Sequence, residues 1–99
     1  MTDNLILGID PGLKNTGWGV ITSFKNKESY LSHGVIKTSS KDSLGKRLVS
    51  IYSGMVKLTE EFKPTFISVE KIFANINPES TLKLGKARGI IFLVAAMYK

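Results

Sequence analysis

Leu5-Ile6-Leu7-Gly8-Ile9-Asp10-Pro11-Gly12 is the stretch that decides how this chain folds. It is apolar up to Asp10 and then stops abruptly at Pro11-Gly12. Its length and flanks predict a strand buried on both faces rather than a helix. Pro11 disfavours helical backbone at the residue before it, so Asp10 is held extended at the strand's end. Working outward, Gly17 to Phe24 reads as a second strand and Tyr30 to Thr38 as a third, joined by the polar turn Lys25-Asn26-Lys27-Glu28. Three successive strands with short connections predict an antiparallel meander.

The period then changes. Leu44, Leu48, Ile51, Tyr52, Met55, Leu58 and Phe62 recur at the spacing of one helix face. Asp42 or Ser43 can cap this helix, and Lys63-Pro64 ends it. Gly45 and Gly54 weaken it by roughly 1 kcal/mol each relative to Ala. Thr65 to Glu70 is again strand-like, and a loop through Asn75 leads to a last helix. Asn77 is its predicted cap, Pro78 its first residue and Glu79 part of its first turn. From Gly89 to Tyr98 this helix is apolar almost all round, which demands burial on several sides. Four strands and one other helix offer limited cover, so either another chain packs there or the fold continues beyond residue 99.

Ninety-nine residues make one domain, residues 1–99, and too few for two. With 42% hydrophobic and 22% charged residues, 9 Gly and 3 Pro, the composition excludes a disordered or low-complexity chain. The absence of Cys excludes a disulfide scaffold, a cysteine nucleophile and a cysteine zinc cluster, and a single His, His33, excludes a histidine-rich metal site. The longest apolar stretch is about half of what a bilayer span requires, and Asp3 and Asp10 bracket too short an apolar run for a secretory signal. A cytoplasmic protein with no membrane partner is therefore expected. Fourteen Lys and Arg against eight Asp and Glu give a net charge of +6, which favours a polyanionic partner.

Two of the predicted strands end in a carboxylate, Asp10 and Glu70. The helix between the meander and Thr65 to Glu70 is a crossover, which sets the later strand parallel to a neighbour, the first strand being the natural one. Both carboxylates then project from the carboxyl end of the sheet, where ligands characteristically bind. Adjacent strands lie about 4.8 Å apart, close enough for the two groups to share one divalent cation. An Asp before Pro-Gly is also an ordinary turn residue, and a Glu ending a strand is ordinarily solvated. Two like charges this close repel unless a cation lies between them. With oxygen ligands alone, Mg²⁺ or Mn²⁺ is the matching ion.

Ile6-Leu7-Gly8-Ile9-Asp10-Pro11-Gly12 followed by Thr16-Gly17-Trp18-Gly19-Val20-Ile21 resembles the opening of the RuvC-type Holliday junction resolvases. Val69-Glu70-Lys71-Ile72-Phe73 resembles the family's second acidic motif, and Asn77 to Gly89 the helix that follows it. The first motif alone is weak, because sugar kinases and chaperone ATPases of related fold open similarly; the three together, in order, are specific. The resemblance implies a ribonuclease-H-like α/β fold, C-terminally truncated here, of three-strand antiparallel meander, helix, parallel strand and helix. It also implies a homodimeric, Mg²⁺-dependent endonuclease that cleaves four-way DNA junctions in recombination and repair by two-metal phosphodiester hydrolysis. A branch-migration helicase complex is the further partner it suggests.

On this resemblance Asp10 and Glu70 match the first two of four acidic metal ligands, Asp10 bridging two ions and Glu70 holding one. The other two are Asp residues on a later helix, so the 99-residue chain by itself is expected to be inactive. Glu79 lies nearest the pair, but its place in a first helical turn suits a dipole role. Phe73 is positioned to stack on an unpaired base at the crossover, or else is a core residue. Lys71, Lys83, Lys86 and Arg88 follow the second acid and are candidate phosphate contacts, Lys83 and Lys86 reading equally as a solvated helix face. Gly85 and Gly89, four apart, would admit another helix at close range. Two competing readings are a non-catalytic module binding junction or duplex DNA, and an ATP-binding protein of related fold. Against the latter, the chain has no second phosphate-binding glycine loop.

Overall fold

The computed structural model describes residues 4–71 and 77–98. Its elements are β1 (Asn4–Asp10), β2 (Asn15–Phe24), β3 (Lys27–Lys37), α1 (Leu44–Phe62), β4 (Phe66–Val69) and α2 (Pro78–Met97). One sheet holds the strands in the order β3-β2-β1-β4. The β1–β2 and β2–β3 pairs are antiparallel, and β1–β4 is parallel. This is the meander and crossover expected from the period changes.

The hairpin is tighter than the sequence suggests. Lys25 and Asn26 alone form the turn, with φ of 49° and 63°. Lys27 and Glu28, expected in the turn, instead pair with Phe24 and Ser23. Two successive left-handed residues match the right-handed twist of the flanking strands, so the ladder runs to its end. A register shift between Val20 and Ile21 leaves Leu31 as the extra residue, since Val20 faces Ser32 and Ile21 faces Tyr30.

Strand β1 is buried on one face only, not on two. Leu7 and Ile9 are buried, whereas Asp10 is exposed and Ile6 and Gly8 are half-buried. The reason is that both helices pack on the same side. Leu7, Ile9 and Val20 from the sheet meet Ile51, Met55 and Leu58 of α1 and Ala87, Ile91 and Val94 of α2 in one core. Helix α1 comes close to β3 because residue 54 is glycine: a Cβ there would lie 2.9 Å from the Ile36 side chain. The helix-weakening residue thus serves packing. Gly34 works likewise, leaving room for the Trp18 ring 2.5 Å from where its Cβ would stand, and Trp18 in turn packs on Phe62 of α1 at 5.8 Å between ring centroids.

Of the two candidate caps for α1, Ser43 is the one used, its hydroxyl accepting from the Lys46 backbone N–H at 3.3 Å. Asn77 caps α2 as expected, accepting from the N–H groups of Glu79 at 3.0 Å and Ser80 at 3.4 Å. Helix α2 covers only one stripe of its apolar surface. Leu82, Leu93 and Met97 stay 67%, 50% and 54% exposed, with Phe92 and Tyr98 beside them. No described helix is long and apolar enough to cross a membrane.

Candidate active site

Parallel pairing brings the two carboxylates together. Ile6 faces Phe66, Gly8 faces Ser68 and Ile9 faces Val69, so Asp10 and Glu70 are the next partners in register. The Glu70 N–H donates to the Ile9 carbonyl at 2.9 Å, which carries the pairing past the end of β4 and fixes where Glu70 leaves the sheet. Period two then places both side chains on the face opposite the helices, one strand spacing of about 4.8 Å apart.

That open face is organised in cross-strand rows. Val35, Gly17, Asp10 and Glu70 form one row, and His33, Gly19, Gly8 and Ser68 form the next. The rows enclose a cleft of about 390 Å³ lined by Asp10, Glu70, Ser68, Gly8, Gly17 and Gly19. The three glycines clear its floor. None has positive φ, and a Cβ on each would meet only ordinary contacts, at 3.8 Å for Gly8, 3.7 Å for Gly17 and 4.0 Å for Gly19. Neither backbone conformation nor internal packing requires them, whereas Gly12 does have a packing reason, since a Cβ there would overlap the Asn15 carbonyl.

The donor set fits a hard divalent ion. Both carboxylates are solvent-exposed and face one cleft, and Mg²⁺ is commonly held by one or two carboxylates with water and substrate phosphate completing the shell. Among the described residues no third His, Cys, Asp or Glu joins the pair.

The remaining candidates separate. Lys71 follows Glu70 and is exposed. Lys83 ion-pairs with Glu79 at 3.4 Å, an i,i+4 contact on the helix surface, and Lys86 is exposed on the same helix. Arg88 reaches back to the site: its Nε–H donates to the Glu70 backbone carbonyl at 3.2 Å. Its guanidinium also lies 4.5 Å from the centroid of the Phe92 ring. Arg88 therefore ties α2 to the residue that carries the second carboxylate. Phe73 lies outside the described residues. Sequence reasoning missed the glycine floor and the Arg88 tie; the Gly17-x-Gly19 spacing was the available signal for the first, and nothing local signalled the second.

A four-stranded mixed sheet with two helices on one face, and an acidic residue ending each of two adjacent parallel strands, defines the ribonuclease-H-like class. The family model for crossover junction endodeoxyribonuclease RuvC matches residues 6–99. The RuvC protein of Paramagnetospirillum magneticum is 46% identical over 91 residues, covering 92% of this chain and 55% of that protein. The RuvC of Legionella pneumophila is 42% identical over 95 residues, covering 96% and 55%. Among solved structures, T. thermophilus RuvC in complex with a Holliday junction substrate superposes with a TM-score of 0.85 at 27% identity, covering 96% of this chain and 59% of that one. The chain belongs to the RuvC family, and spans about half the length of the curated relatives it matches.

Proposed function

We propose that this chain forms the first half of the active site of a structure-specific endonuclease that cuts four-way DNA junctions. The observation that carries the proposal is the pairing of Asp10 and Glu70, in register on adjacent parallel strands, facing a glycine-floored cleft. Asp10 and Glu70 would hold Mg²⁺ or Mn²⁺, and when bound the ions supply an activated water and stabilise the leaving oxygen during in-line displacement. The chain's own contribution is geometric. β1 and β4 fix the two carboxylates, Arg88 holds the backbone at Glu70, and the absent side chains at Gly8, Gly17 and Gly19 let a phosphodiester backbone approach the sheet. The two further carboxylates implied by the family resemblance would complete the shell. Lys71, Lys86 and Phe73 are proposed DNA contacts, with Lys83 secondary because Glu79 already offsets its charge.

A homodimer through α2 accords with the exposed Leu82, Leu93 and Met97 and with Gly85 and Gly89, next to which the structure is open. Association with a branch-migration helicase and a cytoplasmic location complete the proposal.

The test is cleavage and binding of a labelled four-way junction in Mg²⁺ or Mn²⁺, by this chain and by a form extended to the length of its relatives. The extended form should cut, and this chain should bind without cutting. Asp10→Asn or Glu70→Gln should abolish cutting by the extended form while leaving binding intact, because affinity comes mainly from phosphate contacts. Near-normal cutting by either variant would remove that residue from the site.

A further inference from the structure

A second surface flanks the carboxylates at the same edge of the sheet. Lys37 ends β3 and pairs with Asn15, two residues beyond the Gly17–Asp10 row. Period two puts Lys37 on the open face with Asp10 and Glu70. Two strand spacings across and two residues along, its Cα lies roughly 12 Å from that of Asp10.

Lys14 stands in the turn that follows Asp10, and this turn is firmly built. Thr16, fully buried, donates through Oγ1 to the Gly12 carbonyl at 2.6 Å and accepts from the Gly12 N–H at 3.3 Å. Thr38 joins the turn to β3: its N–H donates to the Lys14 carbonyl at 3.0 Å and its Oγ1 to the Leu13 carbonyl at 2.5 Å. Arg47, from the first turns of α1, donates through Nε to Thr38 Oγ1 at 2.9 Å. Through its backbone and hydroxyl Thr38 thus fixes the Lys14 turn against the end of β3, where Lys37 stands, while Arg47 holds Thr38 from the helix side. Lys41 and Lys46, later in the chain, are also exposed, and Asp42 between them is half-buried. Among the described residues the one ion pair is Lys83 with Glu79, so no carboxylate neutralises Lys14 or Lys37.

We propose that Lys14 and Lys37 bind phosphates of the DNA strand on the side of the cleft away from Glu70, next to the bond presented to the carboxylates. The inference rests on the endonuclease reading and adds a strand direction and two contacts to it. One DNA strand carries a negative charge about every 3.4 Å of the helix axis, so a strand with one phosphate over Asp10 has others within reach of a cation roughly 12 Å away. The two carboxylates repel that strand, and Lys37 on the same face, with Lys14 in the turn after Asp10, offsets part of the repulsion. Gly17 and Gly19 keep the middle of the open face low between β3 and the carboxylates.

The experiment measures binding of the full chain to a labelled four-way junction by fluorescence anisotropy over a salt series. Each lost phosphate contact lowers the slope of log K against log salt by about 0.9. The double variant Lys14→Gln/Lys37→Gln should lose about 1.8 in slope, which at 0.1 M salt is a loss on the order of 50-fold in affinity. Lys14→Arg/Lys37→Arg should bind like wild type, as should Lys27→Gln at the far end of the hairpin. Wild-type affinity and slope in the Gln double variant would overturn the surface while leaving the endonuclease reading in place. Loss in the Arg pair as well, with a lowered melting temperature, would assign the effect to folding and overturn the proposal. A wild-type chain that binds no DNA even at low salt would overturn both.

Discussion

Replacing Gly19 by Ala isolates what the floor of the cleft is for. Gly19 lies inside β2 with negative φ, a position where glycine weakens a strand. A Cβ there would meet its nearest neighbour, the Ser32 carbonyl, at 4.0 Å, so the methyl enters without strain. The unfolded chain loses freedom that the folded one never had, which predicts a gain of about 0.4–1 kcal/mol in stability. For a domain of this size that corresponds to a melting temperature raised by roughly 2–6 °C. Function should move the other way. The added methyl stands in the cleft beside Asp10, where the proposed function brings the phosphodiester backbone, so junction cleavage by the extended form should fall on the order of tenfold. Thermal melting by circular dichroism and cleavage of a labelled junction read the two effects separately. Gly34→Ala is the internal contrast, because its Cβ would lie 2.5 Å from the Trp18 ring, and overpacking of this kind costs about 1–3 kcal/mol. A destabilised Gly19→Ala chain with full cleavage would refute the reasoning, since the glycine would then serve packing rather than the site.

Arg88→Ala removes the hydrogen bond to the Glu70 carbonyl and the contact with Phe92, worth about 1–2 kcal/mol together. It should weaken lanthanide or Mn²⁺ binding several-fold, and Arg88→Lys should restore little because a point charge cannot reproduce the planar fork; Trp18-sensitised terbium luminescence measures both, and unchanged affinity would leave Arg88 as packing only. Leu7→Ala, at a side chain fully buried between sheet and helices, should cost about 2.7–5 kcal/mol and leave little folded chain, as judged by urea denaturation. Size-exclusion chromatography of the chain should show self-association through the exposed α2 residues, relieved by Leu93→Lys, and a monodisperse monomer that melts cooperatively would contradict that expectation.

Local chemistry alone determined much of this protein. Pro11 ends β1 at Asp10, the apolar spacing from Leu44 to Phe62 writes α1, and Asn77-Pro78 starts α2, because caps, breakers and periodicity act over a few residues. The crossover rule even anticipated that Asp10 and Glu70 would share one end of the sheet. What tertiary structure decided is which face is left open. An apolar run such as Leu5 to Ile9 does not state whether one or both of its faces are covered, and only the packing of both helices on the Leu7 and Ile9 side leaves Gly8, Gly17 and Gly19 as a bare floor. The hairpin register likewise turned on two left-handed residues, Lys25 and Asn26, one of them a lysine that carries no strong turn signal. In the sequence Arg88 reads as a candidate phosphate contact, with no sign of a tie to Glu70. Its bond to the Glu70 carbonyl spans 18 residues of sequence, and a contact of that range exists only once β4 and α2 have packed together.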